Sequence, residues 1–443
     1  MSTPDQVKYS TNPVEGVAAT SELVIFRSEL PEYNPSSNKF IRINLPVASK
    51  GWIDWSDSVL SLKFTNRSHQ TDGASTSESA VKTQLNNLIK SITILNSQGE
   101  QIEYIQEYGL ISNIMDDLTV SGDHKKSIQQ VLAGGSADGN PDSATEVAGA
   151  NSTSEADGSS LTMVDRLMTG FTSGTYLSPL GYLIGNSCAI ILELQDPSTA
   201  LKINTTANGV VAYKVSNVEI RAKQILFNST FNADFEQGLM EAGTTGINYV
   251  TESFIHAQGS LNNGVSGTQN VPFSMNPRSA LYILAAHRKE TDVTDQDKYS
   301  LGVRSSCALS DYQWEVSGKA MPTQPLQLAD DNFSQGYANV LDCLGIVGAI
   351  NHSNLVTSAG TNTRFYARTS TTASKYVSGL VLEDFNSATN PSVYSGMNLS
   401  VVGQMLYRPN LAASLSGAHR IDFFCSHNVS FHFTFDGRCY SVK

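Results

Sequence analysis

Apolar and polar residues alternate from Ile41 to Val47, with Ile41, Ile43, Leu45 and Val47 set against Arg42, Asn44 and Pro46. A period of two puts alternate side chains on one face of a strand, so this segment predicts a strand with one face on a core. Pro46 has no backbone donor to give a sheet, which places it at an edge or a strand end. After a turn predicted around Trp52 and Trp55, alternation resumes from Val59 to Thr65, and Asn66 to Ala80 reads as a polar loop. Leu88 to Leu95 predicts another strand, closed by Asn96-Ser97-Gln98-Gly99, where glycine accepts the positive φ of a hairpin turn. Ala189 to Leu194 and Tyr213 to Ile225 predict long strands, linked by a turn at Asp196-Pro197 and a loop at Asn208-Gly209. Near the end, Val429, Phe431, Phe433 and Phe435 share one face and Ser430, His432 and Thr434 the other. The apolar face is core.

Two segments carry the other period. Ile105, Tyr108, Ile111, Met115 and Leu118 stand three and four apart and predict a helix beginning near Tyr104. In a second, Phe333, Tyr337, Val340, Leu341 and Leu344 form one stripe, preceded by the N-cap candidates Asp330, Asp331 and Asn332 and followed by Gly345 where a C-cap belongs. The succession strand, helix, strand pair therefore occurs twice. Leu60, Leu62 and Phe64, then the first helix, then Tyr213, Val215, Val218 and Ile220 are answered by segments starting near Leu281, Phe333 and Ile421. The repeat lies in pattern and order, not residue identity, and implies two like β-rich halves, each with one helix. Strand patterning lapses across Asn232, Glu236, Gly243 and Gly246, so residues 231–246 are expected to link a first domain, 23–230, to a second, 247–443. Residues 1–22 are small and polar and read as a flexible arm. Residues 133–160 contain no Lys, Arg, Leu, Ile or Phe, so they bury too little apolar area to offset ordering and are expected to be an exposed loop. A shorter polar insertion spans Asn351 to Thr363.

A chain of 443 residues accommodates two domains with a core each. Charged residues are only 16%, with abundant Gly, Ser, Thr and Asn, which favours sheets and loops over helix bundles and makes the chain all-β. A net charge of −12 and pI of about 5.1 repel polyphosphate. The first twenty residues carry only Asp5, Lys8 and Glu15, so no basic arm for direct, sequence-specific or general nucleic-acid binding is expected. Five cysteines, Cys188, Cys307, Cys343, Cys425 and Cys439, are odd in number and lack a CxxC, which argues for reduced, buried thiols. No apolar leader or run of membrane-spanning length occurs, so neither standard secretion nor membrane insertion is expected. The Asn-x-Ser/Thr triplets at Asn66, Asn151, Asn204, Asn228, Asn351, Asn398 and Asn428 are read as chance matches.

The search for chemistry returns little. Gly318-Lys319 lacks the upstream glycine of a phosphate loop, and HExxH, GxSxG and dinucleotide fingerprints do not occur. Asp116-Asp117 and Glu383-Asp384 are adjacent acids, whereas a glycosidase needs carboxylates that face each other across a sugar bond; neighbours in sequence diverge, and solvated faces or caps are the favoured reading. Cys425 and His427 share a strand face and offer two metal ligands, but His432 faces the other way and no second pair stands at zinc spacing. Trp52 and Trp55 around Asp54 suit a sugar-stacking platform, but such rings more often anchor a chain to the core or to a neighbouring subunit. No catalytic, cofactor or metal residue is assigned.

Leu88 to Leu118 (LIKSITILNSQGEQIEYIQEYGLISNIMDDL), Leu180 to Ile225 (LGYLIGNSCAIILELQDPSTAL…YKVSNVEIRAKQI) and LEDF…SGMN from Leu382 to Asn398 resemble, in order and spacing, the double jelly-roll major capsid proteins of tailless double-stranded DNA viruses, the adenovirus, virophage and polinton-like lineage. The resemblance covers most of the chain and rests on architecture, with no diagnostic motif. It implies two tandem jelly-roll β-sandwiches standing upright to a capsid surface, with a short helix and long loops in each. It also implies a homotrimeric pseudo-hexagonal capsomer in the virion, assembled inside the host cell, with no reaction catalysed and no cofactor. Penton and minor capsid proteins are implied partners, residues 133–160 a tower loop, and residues 1–22 an inward or intersubunit arm. Two other readings compete. A single jelly-roll shell protein with a projection domain usually carries a basic arm, and a two-domain β carbohydrate-binding protein or glycoside hydrolase usually shows spaced acids and aromatics around a groove.

Overall fold

The computed structural model describes residues 19–70, 81–120, 124, 128–134, 146–148, 158–172, 176–183, 187–203, 209–242, 246–293, 295, 301–302, 304–328, 334–345, 375–382, 396–434 and 436–442. The principal elements of the first half are β1 (Ala19–Arg27), β2 (Phe40–Pro46), β3 (Trp52–Asn66), β4 (Ile89–Leu95), β5 (Gln101–Gln106), α1 (Tyr108–Thr119), β6 (Ser160–Asp165), β7 (Ser187–Leu194) and β8 (Tyr213–Phe227). After α2 (Ser229–Ala242) come β9 (Ile247–Leu261), β10 (Val271–Phe273), β11 (Ala280–Lys289), β12 (Leu309–Val316), β13 (Lys319–Gln327), α3 (Ser334–Cys343), β14 (Ser378–Val381), β15 (Met405–Leu411), β16 (His419–Phe433) and β17 (Cys439–Val442).

The first half pairs its strands in the orders β1-β8-β3-β6 and β2-β7-β4-β5. The second pairs them as β9-β16-β11-β14 and β10-β15-β12-β13, so adding eight to each first-half label generates the second half. Each half is thus two antiparallel sheets, each built on four principal strands, with shorter strands added at the sides of some, and with long-range connections, the arrangement of a jelly roll. The segments whose order repeats in the sequence fall on equivalent strands, β3 with β11 and β8 with β16.

Strand β2 shows the predicted alternation in full, its residues exposed and buried in turn, and Pro46 ends it on an open sheet edge. Gly99 closes the β4-β5 hairpin at φ +83°, with its N–H donating to the Asn96 carbonyl. Gly345 follows α3 at φ +67°, as a C-cap requires. Ile41, Ile43, Leu60, Leu62, Ile92, Ile94, Ile190 and Leu192 pack in the first half beside Phe64 and Tyr213, whose rings are 5.7 Å apart. The second centres on Phe273, Trp314, Tyr407 and Phe423, the two phenyl rings stacked at 4.1 Å and 12°. Each such side chain contributes on the order of 1.5–3 kcal/mol by leaving water.

Several boundaries differ from the sequence reading. The helix expected from Tyr104 starts at Tyr108, and residues 101–106 extend the sheet as β5. Ile105 and Tyr108 are three apart, which imitates helical spacing across the break, and Glu107 at φ +53° turns the chain between the two. Trp52 and Trp55 stand inside the fifteen-residue strand β3, not in a turn. Residues 19–22 pair with β8 as part of β1, so extended pairing begins within the stretch expected to be an arm. The segment expected to be a linker is largely helix α2, held by aromatic contacts. The Asp196-Pro197 turn is a helical turn, Pro197–Ala200, capped by the Asp196 carboxylate accepting from the Ser198 N–H at 2.9 Å. Strand β16 ends at Phe433, and β17 follows it. Most of residues 133–160, and residues 1–18, 351–363, 383–384 and Phe435, lie outside the described residues.

Candidate assembly seam

Strand β5 is one edge of the first half and β9 one edge of the second, and the two edges lie against each other, with β17 alongside β5. Exposed edges invite stray pairing, and each of these is covered by the other half of the same chain. The Glu103 side chain is buried to 1% exposure in this contact. Its carboxylate accepts from the Gly170 N–H at 2.8 Å, the Phe171 N–H at 3.0 Å and the Ser253 hydroxyl of the second half at 2.5 Å. A methyl group on Gly170 would meet Thr251 Oγ1 at 2.8 Å and the Glu252 carbonyl at 2.9 Å, so only glycine allows this approach. Phe171 sets its edge on Phe431 of the second half at 5.3 Å. Asn96 Nδ2 donates to the Cys439 carbonyl at 2.9 Å, and the Ser441 hydroxyl to the Ile102 carbonyl at 2.5 Å.

Two charged clusters extend the seam. Asp422, on β16, is fully buried, with Oδ2 accepting from Arg288 Nε at 3.0 Å and Nη2 at 2.8 Å. Its Oδ1 meets Arg420 Nε at 2.8 Å and His256 Nε2 at 2.9 Å. Burial by itself raises this carboxyl, but Arg288, His256 and Arg420 outweigh that and hold it well below the usual carboxylate range. Across the seam, Glu107 of the first half reaches Arg420 at 3.0 Å and Arg288 at 4.0 Å. Burial lowers the Arg420 guanidinium, and Asp422 and Glu107 together more than restore it. In the second cluster, Asp117 on α1 binds Arg304 Nη2 at 2.6 Å and Lys375 Nζ at 3.1 Å, both from the second half. Breaking one partner out of such a buried set costs about 3–5 kcal/mol, because the remaining charge stays buried. The clusters therefore fix how the two sandwiches are set against each other.

The residues singled out in the sequence fall in different places. Asp116 and Asp117 diverge, as adjacent helical residues do: Asp117 enters the seam, while Asp116 accepts from Gln129 Nε2 at 2.7 Å. Asp116 also stands near Asp165, whose carboxyl is raised to about 7, first by burial and then by Asp116. Trp52 and Trp55 do not form a platform. Trp52 is surrounded by Tyr182, Phe227, Phe231 and Phe235, which clamp α2 to the end of the first sandwich. Trp55 donates from Nε1 to Ser178 Oγ at 2.9 Å, and that hydroxyl lies 3.2 Å from Tyr249 of the second half. Cys425 and His427 share a buried face of β16, and His432 faces the other way, stacked on Tyr440 at 4.9 Å. Among the described residues no group of three potential metal ligands gathers. All five cysteines are buried free thiols, and burial pushes Cys188 and Cys307 up to about 12. The seam residues Glu103, Glu107, Arg288, Arg304, Arg420 and Asp422 were not singled out in the sequence. Their signal was a charge set in an apolar strand, as in Ile421-Asp422-Phe423-Phe424-Cys425 and Ile102-Glu103-Tyr104-Ile105.

Among solved structures, the Faustovirus major capsid protein superposes with a TM-score of 0.61 at 10% identity, covering 96% of this chain and 92% of that one. The quasi-atomic PBCV-1 virus capsid gives 0.60 at 11% identity, over 98% and 99%. The mavirus major capsid protein gives 0.51 at 11% identity, over 100% and 95%. No family model and no curated protein matches the sequence. The likeness at this identity is one of fold, it runs the length of the chain, and the fold is a double jelly roll.

Proposed function

We propose that this chain is a major capsid protein, a structural subunit that forms homotrimers and tiles an icosahedral virion shell without catalysing a reaction. The observation that carries the reading is the repetition of one strand plan in two sandwiches locked by a buried seam. Two like units joined rigidly make each subunit contribute two sides of a six-sided ring, so three copies close it; closed rings of this kind are the ordinary outcome of a head-to-tail interface. The full-length likeness to capsid subunits supports the same reading. Residues 23–230 and 247–443 are the two assembly domains, with 231–246 between them. Penton and minor capsid proteins are the further partners, and the acidic balance leaves the genome to be contacted by other components.

Size-exclusion chromatography with light scattering tests the oligomer. A mass three times that of the 47.7 kDa chain at micromolar concentration is expected, and a stable monomer sinks the trimer. Negative-stain images should show threefold particles or hexagonal sheets.

A further inference from the structure

The corner of the first half where the 3-10 turn Leu85–Leu88, α1 and the end of β6 meet is polar, and its two adjacent asparagines are served differently. Asn87 is fully buried in a hydrogen-bond network, its Oδ1 accepting from Asn113 Nδ2 at 2.6 Å and Gln84 Nε2 at 3.3 Å. Asn86, 4% exposed, is aimed at an acid instead. Its Nδ2 donates to Asp165 Oδ2 at 3.1 Å, while its Oδ1 has no hydrogen-bond partner among the described residues. A buried acceptor without a donor is costly, and folded proteins leave few of them.

A second carboxylate stands close by. Burial first, and then the charge of Asp116 on α1, raise the Asp165 carboxyl. After burial, the same two carboxylates push up the Tyr108 phenol, so Asp116, Asp165 and Tyr108 share one corner. The cation next in sequence, Arg166, is drawn outward, its guanidinium 3.9 Å from the exposed Asp57. Among the described residues no third acid, histidine or cysteine joins the two acids. What gathers is therefore hard oxygen alone: two carboxylates and the carbonyl oxygen of a buried amide. Zinc prefers nitrogen and sulfur, and magnesium demands a strict octahedron that it fills largely with water; calcium accepts six to eight oxygens in flexible geometry.

We propose that Asp116, Asp165 and Asn86 bind a calcium ion, with water completing its shell. Turning the Asn86 amide over puts Oδ1 in the place of Nδ2, 3.1 Å from Asp165 Oδ2. Two oxygens that are each about 2.4 Å from one calcium ion stand roughly that far apart. The ion supplies the positive charge that Arg166 does not, and it gives the Asn86 oxygen its partner. It also braces α1, because Asp116 holds the ion while the next residue, Asp117, holds Arg304 and Lys375 of the second half. Two carboxylates and one amide make a weak site, so half-saturation at about 0.1–1 mM calcium is expected.

The test titrates calcium into full-length protein that has been stripped with EDTA and dialysed free of it. At 10 mM calcium the melting temperature of wild type should rise by ~1–3 °C, and magnesium at the same concentration should raise it less. Terbium luminescence excited through Tyr108 should saturate and be displaced by calcium. In EDTA at pH 8, Asp165→Asn should melt at or above wild type, which shows that it folds, yet it should lose both the calcium gain and the terbium signal; Asp116→Asn should lose them as well. Asn86→Asp adds a charge to the site and should lower the half-saturating calcium concentration by ~10-fold. A wild type that calcium does not stabilise, or a calcium gain that Asp165→Asn and Asp116→Asn retain, overturns the site. An equal gain from magnesium overturns the assignment to calcium, and an Asn86→Asp variant that binds no more tightly overturns the part given to Asn86.

Discussion

The interior of each sandwich and the seam between them are both largely buried but solve different problems. The interiors hold aliphatic and aromatic side chains, such as Ile43 with Ile190 and Phe273 with Phe423. Apolar contact is strong but tolerant of orientation, since it depends mainly on area removed from water. The seam instead holds Glu103, Glu107, Asp117, Arg288, Arg304, Arg420 and Asp422, whose hydrogen bonds are directional. A buried ion pair adds little net stability over an apolar substitute. What it supplies here is a single relative placement of two units that must act as one rigid wall. One strand shows both devices side by side: Phe423 enters the sandwich and Asp422 enters the seam.

That adjacency gives the sharpest test. Asp422→Asn should destabilise the chain by about 3–5 kcal/mol in urea unfolding, because Arg288 stays buried with only the more distant Glu107, at 4.0 Å, as counter-charge. Ile421→Leu, one residue away on the core face, should cost less than about 1.5 kcal/mol, as volume-conserving core changes do. Equal costs would break the contrast. A smaller effect is expected at Glu103. Glu103→Gln keeps the size of the side chain but not its charge, and should cost about 1–3 kcal/mol. Hydrogen exchange should then rise at the Gly170 and Phe171 amides before it rises in β4 or β12, whereas uniform exchange would mean that the seam and sandwiches open together.

The smallest expected effect concerns Asp165, a buried acid outside the seam whose neighbouring Arg166 does not offset its burial. Its folded value is raised to about 7, so its contribution is fully present below the ordinary carboxylate value near 4 and is lost as pH rises through about 7. Asp165→Asn should therefore raise the melting temperature by ~1–3 °C at pH 8, with the gain shrinking as pH falls toward 4. Asp422 has the opposite sign. Its lowered value means that its contribution is present above pH 4 and is lost only as strong acid protonates it. A gain for Asp165→Asn that grows on acidification would show that burial does not govern this carboxyl.

The strands, their faces and the doubling of the chain were legible in the sequence, because alternation is a local property that each strand carries in its own residues. Ile41 to Val47 is the plainest case, and the pairing of β3 with β11 and β8 with β16 follows from order along the chain. Boundaries blurred where local patterns overlap, as at Ile105 and Tyr108, where strand and helix spacing coincide across Glu107. The aromatic run through Phe227, Phe231 and Phe235 looked like a lapse because its partner, Trp52, is far away in sequence. The seam was the least legible part. A carboxylate within an apolar strand signals a burial problem, but its partner is fixed only when distant segments meet, as Glu107 meets Arg420. The sequence by itself determined two like all-β units, and tertiary structure decided which edges are covered and which are left open. The physical reason is range: periodicity is written within a few residues, whereas compensating a buried charge requires a second charge brought from elsewhere in the chain.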